Sequence, residues 1–515
     1  MFRRLFNRLL WLFIHRIPWK PLLIWGPTFI ATITTAFFLF ENWRGNQAWK
    51  QAQTHANSLG LYLNYRNFTP SPNKHSPNLS SLPGFDGRNF KGFKKRLANF
   101  QPHLNPIGIK AYQSGARWQA KPRDIRAWLD PADPSASSHK LAALRLDELT
   151  FAQTQWLHEL KTKIQHQPLV LPPDSLEFHP NSYPGSNITK TLQIADALRD
   201  DTSIALALQD HQRALTNIDT LFRLADTQAY HCFMTQLVST TILHIATDAI
   251  WEFTLLANPT PAQLTHRHTR HAQPHHALHV TQSVSGEMCY ALQVLDAADA
   301  KPNLIHDLLA FSGNSPATHL ATGTPWLDTA LKDLELLFHK LSPGGWLDLA
   351  RAETVESHLQ LTQMTSHSLS ELQKTARSGF DSWRYLPGNL ARSWNNPFVD
   401  KFLSHLIEIE TRIQLTRIGL DLESFRLRHQ RYPHLLAELP HTYPDDLWSG
   451  QPYQYRLKPD GSPLVWSVGE NQVDENGLPS PANNRQEGDL TWHLTPFPNL
   501  TPTKLEKLLA PHRLK

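Results

Sequence analysis

The chain has 515 residues, enough for two or three domains at about 150 residues each. Hydrophobic residues make up 40% and charged residues only 18%, below the roughly 25% usual in soluble domains; 28 His and 38 Pro fill part of the difference. With 50 Lys+Arg against 45 Asp+Glu, the net charge of +5 is too small for an extended phosphate-binding surface and argues against nucleic acid as a partner.

Taken in chain order, residues 1–20 place Arg3, Arg4, Arg8, Arg16 and Lys20 among large apolar side chains, a pattern for a basic amphipathic segment on the cytoplasmic face of a membrane. From Leu22 to Phe40 no residue is charged. A helix over that stretch spans about 28 Å, close to the roughly 30 Å hydrocarbon core, and Trp25 and Trp43 sit at its two ends. This predicts a transmembrane helix over residues 21–41 with the bilayer as its partner. The run is too long for a cleaved signal peptide, and "FFLFENWRG" offers no small-residue cleavage site. The excess of basic residues before the span places the N-terminus in the cytoplasm and the bulk of the chain outside a bacterial inner membrane.

Residues 42–66 continue as a membrane-proximal helix. Residues 67–139 are broken by Pro70, Pro72, Pro77, Pro83, Pro102, Pro106, Pro122, Pro131 and Pro134, and predict an irregular segment wrapped on the rest. Residues 140–399 carry apolar residues at three- and four-residue steps, as in Leu146, Leu149, Trp156, Leu157, Leu160 and Ile164, and predict an α-helical array. Within it, Cys232 and Cys289 are a candidate disulfide in an oxidising compartment, or two small buried thiols.

The densest side-chain cluster is His266–His279. His271, His275 and His279 lie one helical turn apart and are candidate transition-metal ligands, although Pro274 disturbs that turn and no HExxH carboxylate accompanies them. A solvated polar helix face is the plainer reading. No GxSxG elbow, Walker loop or GxGxxG stretch occurs, and no catalytic residue is assigned.

Residues 400–429 predict a long helix through Phe402, Leu406, Ile409, Ile413, Ile418, Leu422 and Phe425. Tyr453, Tyr455 and Leu457, the "KPDGS" turn, and Leu464, Trp466 and Val468 then alternate as an antiparallel hairpin. The order of helix, Tyr432-Pro433, "DDLWSGQPYQY", "WSVGENQVDENG" and "EGDLTWHL" resembles the C-terminal half of the major pseudopilins of type II secretion. That resemblance implies a small pilin-like α+β unit over 400–495, followed by a tail over 496–515. It also implies a terminal acidic loop able to bind calcium.

The acidic residues there are Asp474, Glu475, Glu487 and Asp489, of which Asp474, Glu487 and Asp489 form the candidate calcium set. More widely, "ENWRGNQAW", "SVSGEMCYAL", "PGGWLD" and "DLESFRLRHQRYPHLLAELP" resemble a family of single-span bacterial envelope proteins with no established activity.

The fold expected is mainly α: one transmembrane helix, an α-helical array and a C-terminal pilin-like unit. The function expected is a non-enzymatic envelope protein that binds a partner through its C-terminal unit. The alternatives are a metal-dependent periplasmic hydrolase built on the His266–His279 cluster and an assembly factor of a secretion or pilus-like machine.

Overall fold

The computed structural model describes residues 19–64, 120–150, 156–162, 188–228, 232–265, 277–300, 324–364, 389–479 and 487–495. Its helices are α1 (Trp19–Ser58), α2 (His139–Leu149), α3 (Ile188–Ala207), α4 (His211–Gln228), α5 (Phe233–Leu256), α6 (Ala277–Ala300), α7 (Pro325–Leu341), α8 (Gly345–Met364) and α9 (Asn389–His429). Strands β1 (Gln454–Leu457), β2 (Pro463–Ser467) and β3 (Leu490–Trp492) form an antiparallel sheet in the order β1-β2-β3. The mainly helical body and small antiparallel sheet agree with the expectation.

The transmembrane helix over 21–41 does not. Residues 19–58 form one continuous helix, and among the described residues no helix is long and apolar enough to cross a membrane. The apolar run from Leu22 to Phe40 rises about 28 Å, close to the roughly 30 Å hydrocarbon core, so what it lacks is unbroken apolarity and not length. Gly26, Pro27, Thr28, Thr32, Thr34 and Thr35 dilute it.

The structure divides into two units, one drawn from within 1–61, 294–357 and 381–395, the other from within 62–293, 358–380 and 396–515. In the first, α1 and α8 cross so closely that only glycine fits on either side. A Cβ on Gly45 would lie 2.0 Å from the Gly345 carbonyl oxygen, and one on Gly345 would lie 2.2 Å from that of Glu41. Asn42 Oδ1 accepts the Gly345 amide at 2.8 Å, so a side chain of α1 caps the first turn of α8.

Buried Glu41 accepts from Trp346 Nε1 at 2.9 Å and pairs with Arg44. His55 meets Glu356 at 3.1 Å one stretch further along. Two quoted motifs, "ENWRGNQAW" and "PGGWLD", are therefore the two halves of one joint. Gly345→Ala is expected to spring it, at a cost of about 1–3 kcal/mol. Amide exchange across 345–348 should accelerate, and unchanged protection there would show that the crossing tolerates a methyl group.

In the second unit, α3, α4 and α5 pack around Leu198, Ile218, Leu221, Ile242, Ala246 and Ile250, joined by Ile409 and Ile413 of α9. The apolar stripe predicted for α9 is buried throughout, though the helix starts at Asn389 rather than at 400. Within the Pro-rich stretch, the described residues 120–138 are short 3-10 turns at Ile125–Trp128 and Pro134–Ser137, each started by an Asp side chain capping an amide. Ile125, Trp128 and Leu129 pack onto α2 and Ile204.

The other side of α9 carries the sheet: Leu415, Ile418, Leu422 and Phe425 pack with Val465, Leu490 and Trp492. Loop 430–453 is strapped to the same helix. Asp421 accepts from His441 Nδ1 at 2.8 Å and from the Tyr443 hydroxyl, while Glu423 accepts from Tyr432 OH at 2.5 Å and Arg426 Nε at 2.8 Å.

Candidate functional site

The hairpin forms where the alternation predicted it, with Gln454 opposite Trp466 and Leu457 opposite Pro463. Its turn closes through Lys458 N to Ser462 O at 2.8 Å, and Gly461 takes a φ of +76° that suits glycine. Every residue of β2 is buried, with α9 side chains on one face. On the other, Gly477 of the following loop comes so close that a Cβ there would lie 2.7 Å from Leu464 Cδ2.

That loop, 468–479, is folded by its own polar side chains. Asn471 Oδ1 accepts Val473 N at 3.1 Å, and Asp474 Oδ1 accepts both Asn476 N at 2.8 Å and Trp466 Nε1 at 3.0 Å. Asp489, entering from the start of β3, reaches into the loop and accepts Gly477 N at 2.6 Å and Glu475 N at 3.4 Å. Its own amide bonds to Leu478 O at 2.7 Å, which fixes the carboxyl in the interior.

Asp489 is fully buried and Glu475 is 3% exposed. Burial, and then the neighbouring Glu475 carboxyl, push Asp489 up to about 9. Glu475 Oε1 accepts from Asn471 Nδ2 at 2.6 Å, but among the described residues its buried Oε2 has no donor other than a proton on Asp489, to which the carboxyl is hydrogen-bonded. Glu487 is buried as well, whereas Asp474 is on the surface. Two carboxylates enclosed together without a cation cannot both stay ionised at low cost, so the arrangement holds either a shared proton or a positive ion. Among the described residues no three His, Cys, Asp or Glu side chains converge as a metal group, so backbone carbonyls and water would supply the remaining oxygens of a calcium shell.

Of the candidate calcium set, the structure buries Asp489 and Glu487 and leaves Asp474 outside, turned to Trp466. The partner brought to Asp489 is Glu475, which the sequence places in the acidic cluster but not in the ligand set. The "DENG" turn, with Asn476 and Gly477 both at positive φ, is what carries the Glu475 carboxyl inward.

The other candidates are placed as follows. His271 and His275, like the rest of 266–276, lie outside the described residues, as does the side chain of His279 in α6. Cys232 precedes α5 and Cys289 lies in α6; both thiols are free and buried. Cys232 Sγ contacts Thr235 Oγ1 at 3.7 Å, and Cys289 Sγ donates to the Tyr62 carbonyl at 2.9 Å. Burial pushes each thiol up to about 12, so neither is a nucleophile at neutral pH. In the same segment as Cys289, Glu287 accepts the Phe233 amide at 3.2 Å and caps α5.

No family model, no curated protein and no solved structure matches this chain.

Proposed function

We propose that the chain is a non-enzymatic interaction protein whose C-terminal α+β unit is closed by a calcium ion. One observation carries this reading: the buried Glu475–Asp489 carboxyl pair, in which, among the described residues, Glu475 Oε2 has no donor other than a proton on Asp489. Glu475 and Asp489 would hold the ion and Glu487 would add charge beside them. The ion supplies the positive charge that lets both carboxylates ionise in the interior. The resemblance to the major pseudopilins supports the same assignment. The surface offered to a partner is the outer edge of β1, which ends the sheet and alternates between exposed and half-buried residues. An extended segment adds there by strand pairing.

The test is amide exchange at Glu475 and Gly477, whose N–H groups bond to Asp489. Millimolar Ca²⁺ should slow both in the wild-type chain and in neither Asp489→Asn nor Glu475→Gln. Equal exchange with and without Ca²⁺ would sink the reading.

A pH series supplies a second check. In chelator, Asp489 keeps its proton up to about 9 in the folded state, whereas the unfolded chain releases it near the ordinary value of about 3.9. The folded state binds more protons in between, so this group makes stability fall as pH rises from about 4 to about 9. Saturating Ca²⁺ should remove that slope.

A further inference from the structure

Apart from half-buried Phe38, the large side chains of α1 from Trp25 to Trp43 stand in solvent; Trp25, Phe29, Ile30 and Leu39 are each about two-thirds exposed and Trp43 is 61% exposed. Their arrangement around the helix is not uniform. At 100° per residue, Trp25 and Trp43 fall on one line about 27 Å apart, and Phe29, Ile33, Phe37 and Phe40 follow within about 120° of it. Thr28, Ala31, Thr34 and Thr35 occupy an arc of about 120° on the other side, where only Phe38 is large, with Ile30 and Leu39 at its two borders. The buried residues of the same helix, Glu41, Gly45, Ala52 and Ala56, project from one side within about 60° of each other, and α1 meets α8 there through Glu41 and Gly45; among the described residues, only the border residue Phe37 of the bulky face touches α8, edge-on to Trp346 at 6.4 Å.

That bulky face amounts to on the order of 1,000 Å², because each aromatic side chain alone carries about 150–250 Å². Monomers rarely expose more than a few hundred Å² in one patch. Between Lys20 and Glu41 no charged side chain exists to set the register of a protein partner. The Thr32 hydroxyl is turned back onto the Thr28 carbonyl of its own helix at 2.8 Å. Arg16 and Lys20 precede the face and match the phosphates of a headgroup layer, and a tryptophan at each end of one line suits the same layer.

We propose that Trp25–Trp43 is a surface-lying lipid helix, which sinks its bulky face among the headgroups and acyl chains of one leaflet and keeps its Thr/Ala side toward water. Burial of apolar side chains drives the binding, so it follows packing defects in the lipid layer more than ionic strength.

The experiment is flotation of the full-length protein with phosphatidylcholine vesicles, small sonicated against large extruded, with brominated lipid quenching of Trp25 and Trp43 read by difference against Trp25→Phe and Trp43→Phe. The protein should float with small vesicles in preference to large ones. Phe29→Ser and Phe40→Ser should each weaken partitioning roughly 10- to 100-fold, the ratio for a fully buried Phe. Both tryptophans should quench at one shallow depth. Because Phe29 and Phe40 are exposed, circular dichroism should show both variants folded. Failure to float overturns the proposal, as does quenching of the two tryptophans from opposite leaflets. Self-association without lipid that Phe29→Ser disperses would also overturn it, by making a second copy the cover.

Discussion

Asp201→Ala is expected to cost the helical unit about 3–5 kcal/mol, the usual penalty for stripping one partner from a buried ion network. Asp201 lies on α3 at 4% exposure and accepts from Lys161 Nζ at 3.2 Å, Asn217 Nδ2 at 2.8 Å and Arg213 Nε at 3.1 Å. Arg213 reaches on to Asp147 of α2 at 2.8 Å.

Burial raises the Asp201 carboxyl, but Arg213 and Lys161 outweigh it and hold the group below its ordinary value. Burial lowers Lys161 in spite of Asp201. Without the carboxylate, buried Lys161 and half-buried Arg213 face each other, with Asp147 on Arg213 and the more distant Asp210 among the groups left to answer them. A depressed carboxylate contributes stability above its unfolded value and loses it as pH falls through the folded value, so the wild-type advantage over Asp201→Ala should vanish in acid. Urea unfolding at neutral pH measures the cost. A loss below about 1 kcal/mol would mean that water screens the network as it does at a surface. Replacing Lys161, Asp201 and Arg213 together by apolar residues should recover much of what the single change loses.

The second large effect is at Gly419 and Trp492. Glycine inside an exposed helix is ordinarily improved by alanine, by about 1 kcal/mol. Here the sign reverses, because a Cβ on Gly419 would lie 2.1 Å from Cε2 of Trp492, itself 1% exposed. The indole is flat against the α9 backbone, and the next residue is pinned where the His493 carbonyl accepts Trp251 Nε1 at 2.8 Å. Gly419→Ala must displace β3 or the helix, and Trp492→Ala leaves a cavity worth about 3–5 kcal/mol. Either change should strip amide protection from 490–492 and Val465 while the α3–α5 core keeps its own. A more stable Gly419→Ala would show that the sheet packs elsewhere.

Periodicity made part of this legible. The stripe on α9 and the alternation around "KPDGS" depend on neighbours a few residues apart, and local patterning carries that information. The acidic loop was half legible: its composition marked the place, but the pairing of Glu475 with Asp489 depends on how β3 returns beside β2. The N-terminal helix shows the opposite limit. A stretch without charge looks like a span by composition, yet which half of its circumference meets the protein is set by Glu41, Gly45, Ala52 and Ala56 against a distant segment. Nothing near Gly45 in the chain announces that Gly345 will lie on it, nor near Gly419 that Trp492 will.

The joint between α1 and α8 also sets a timetable. Asn42 and the amide it caps are 303 residues apart in the chain. A ribosome adding about 5–20 residues per second delivers the second half of the joint roughly 15–60 s after the first. Throughout that interval Glu41 and Asn42 have no Trp346 or Gly345 to bond, and the bulky side of the helix ahead of them has left the exit tunnel bare. The nascent chain therefore presents its most adhesive surface first and its closure last, which makes the opening minute of synthesis the period in which a chaperone or a lipid surface has the most to hold.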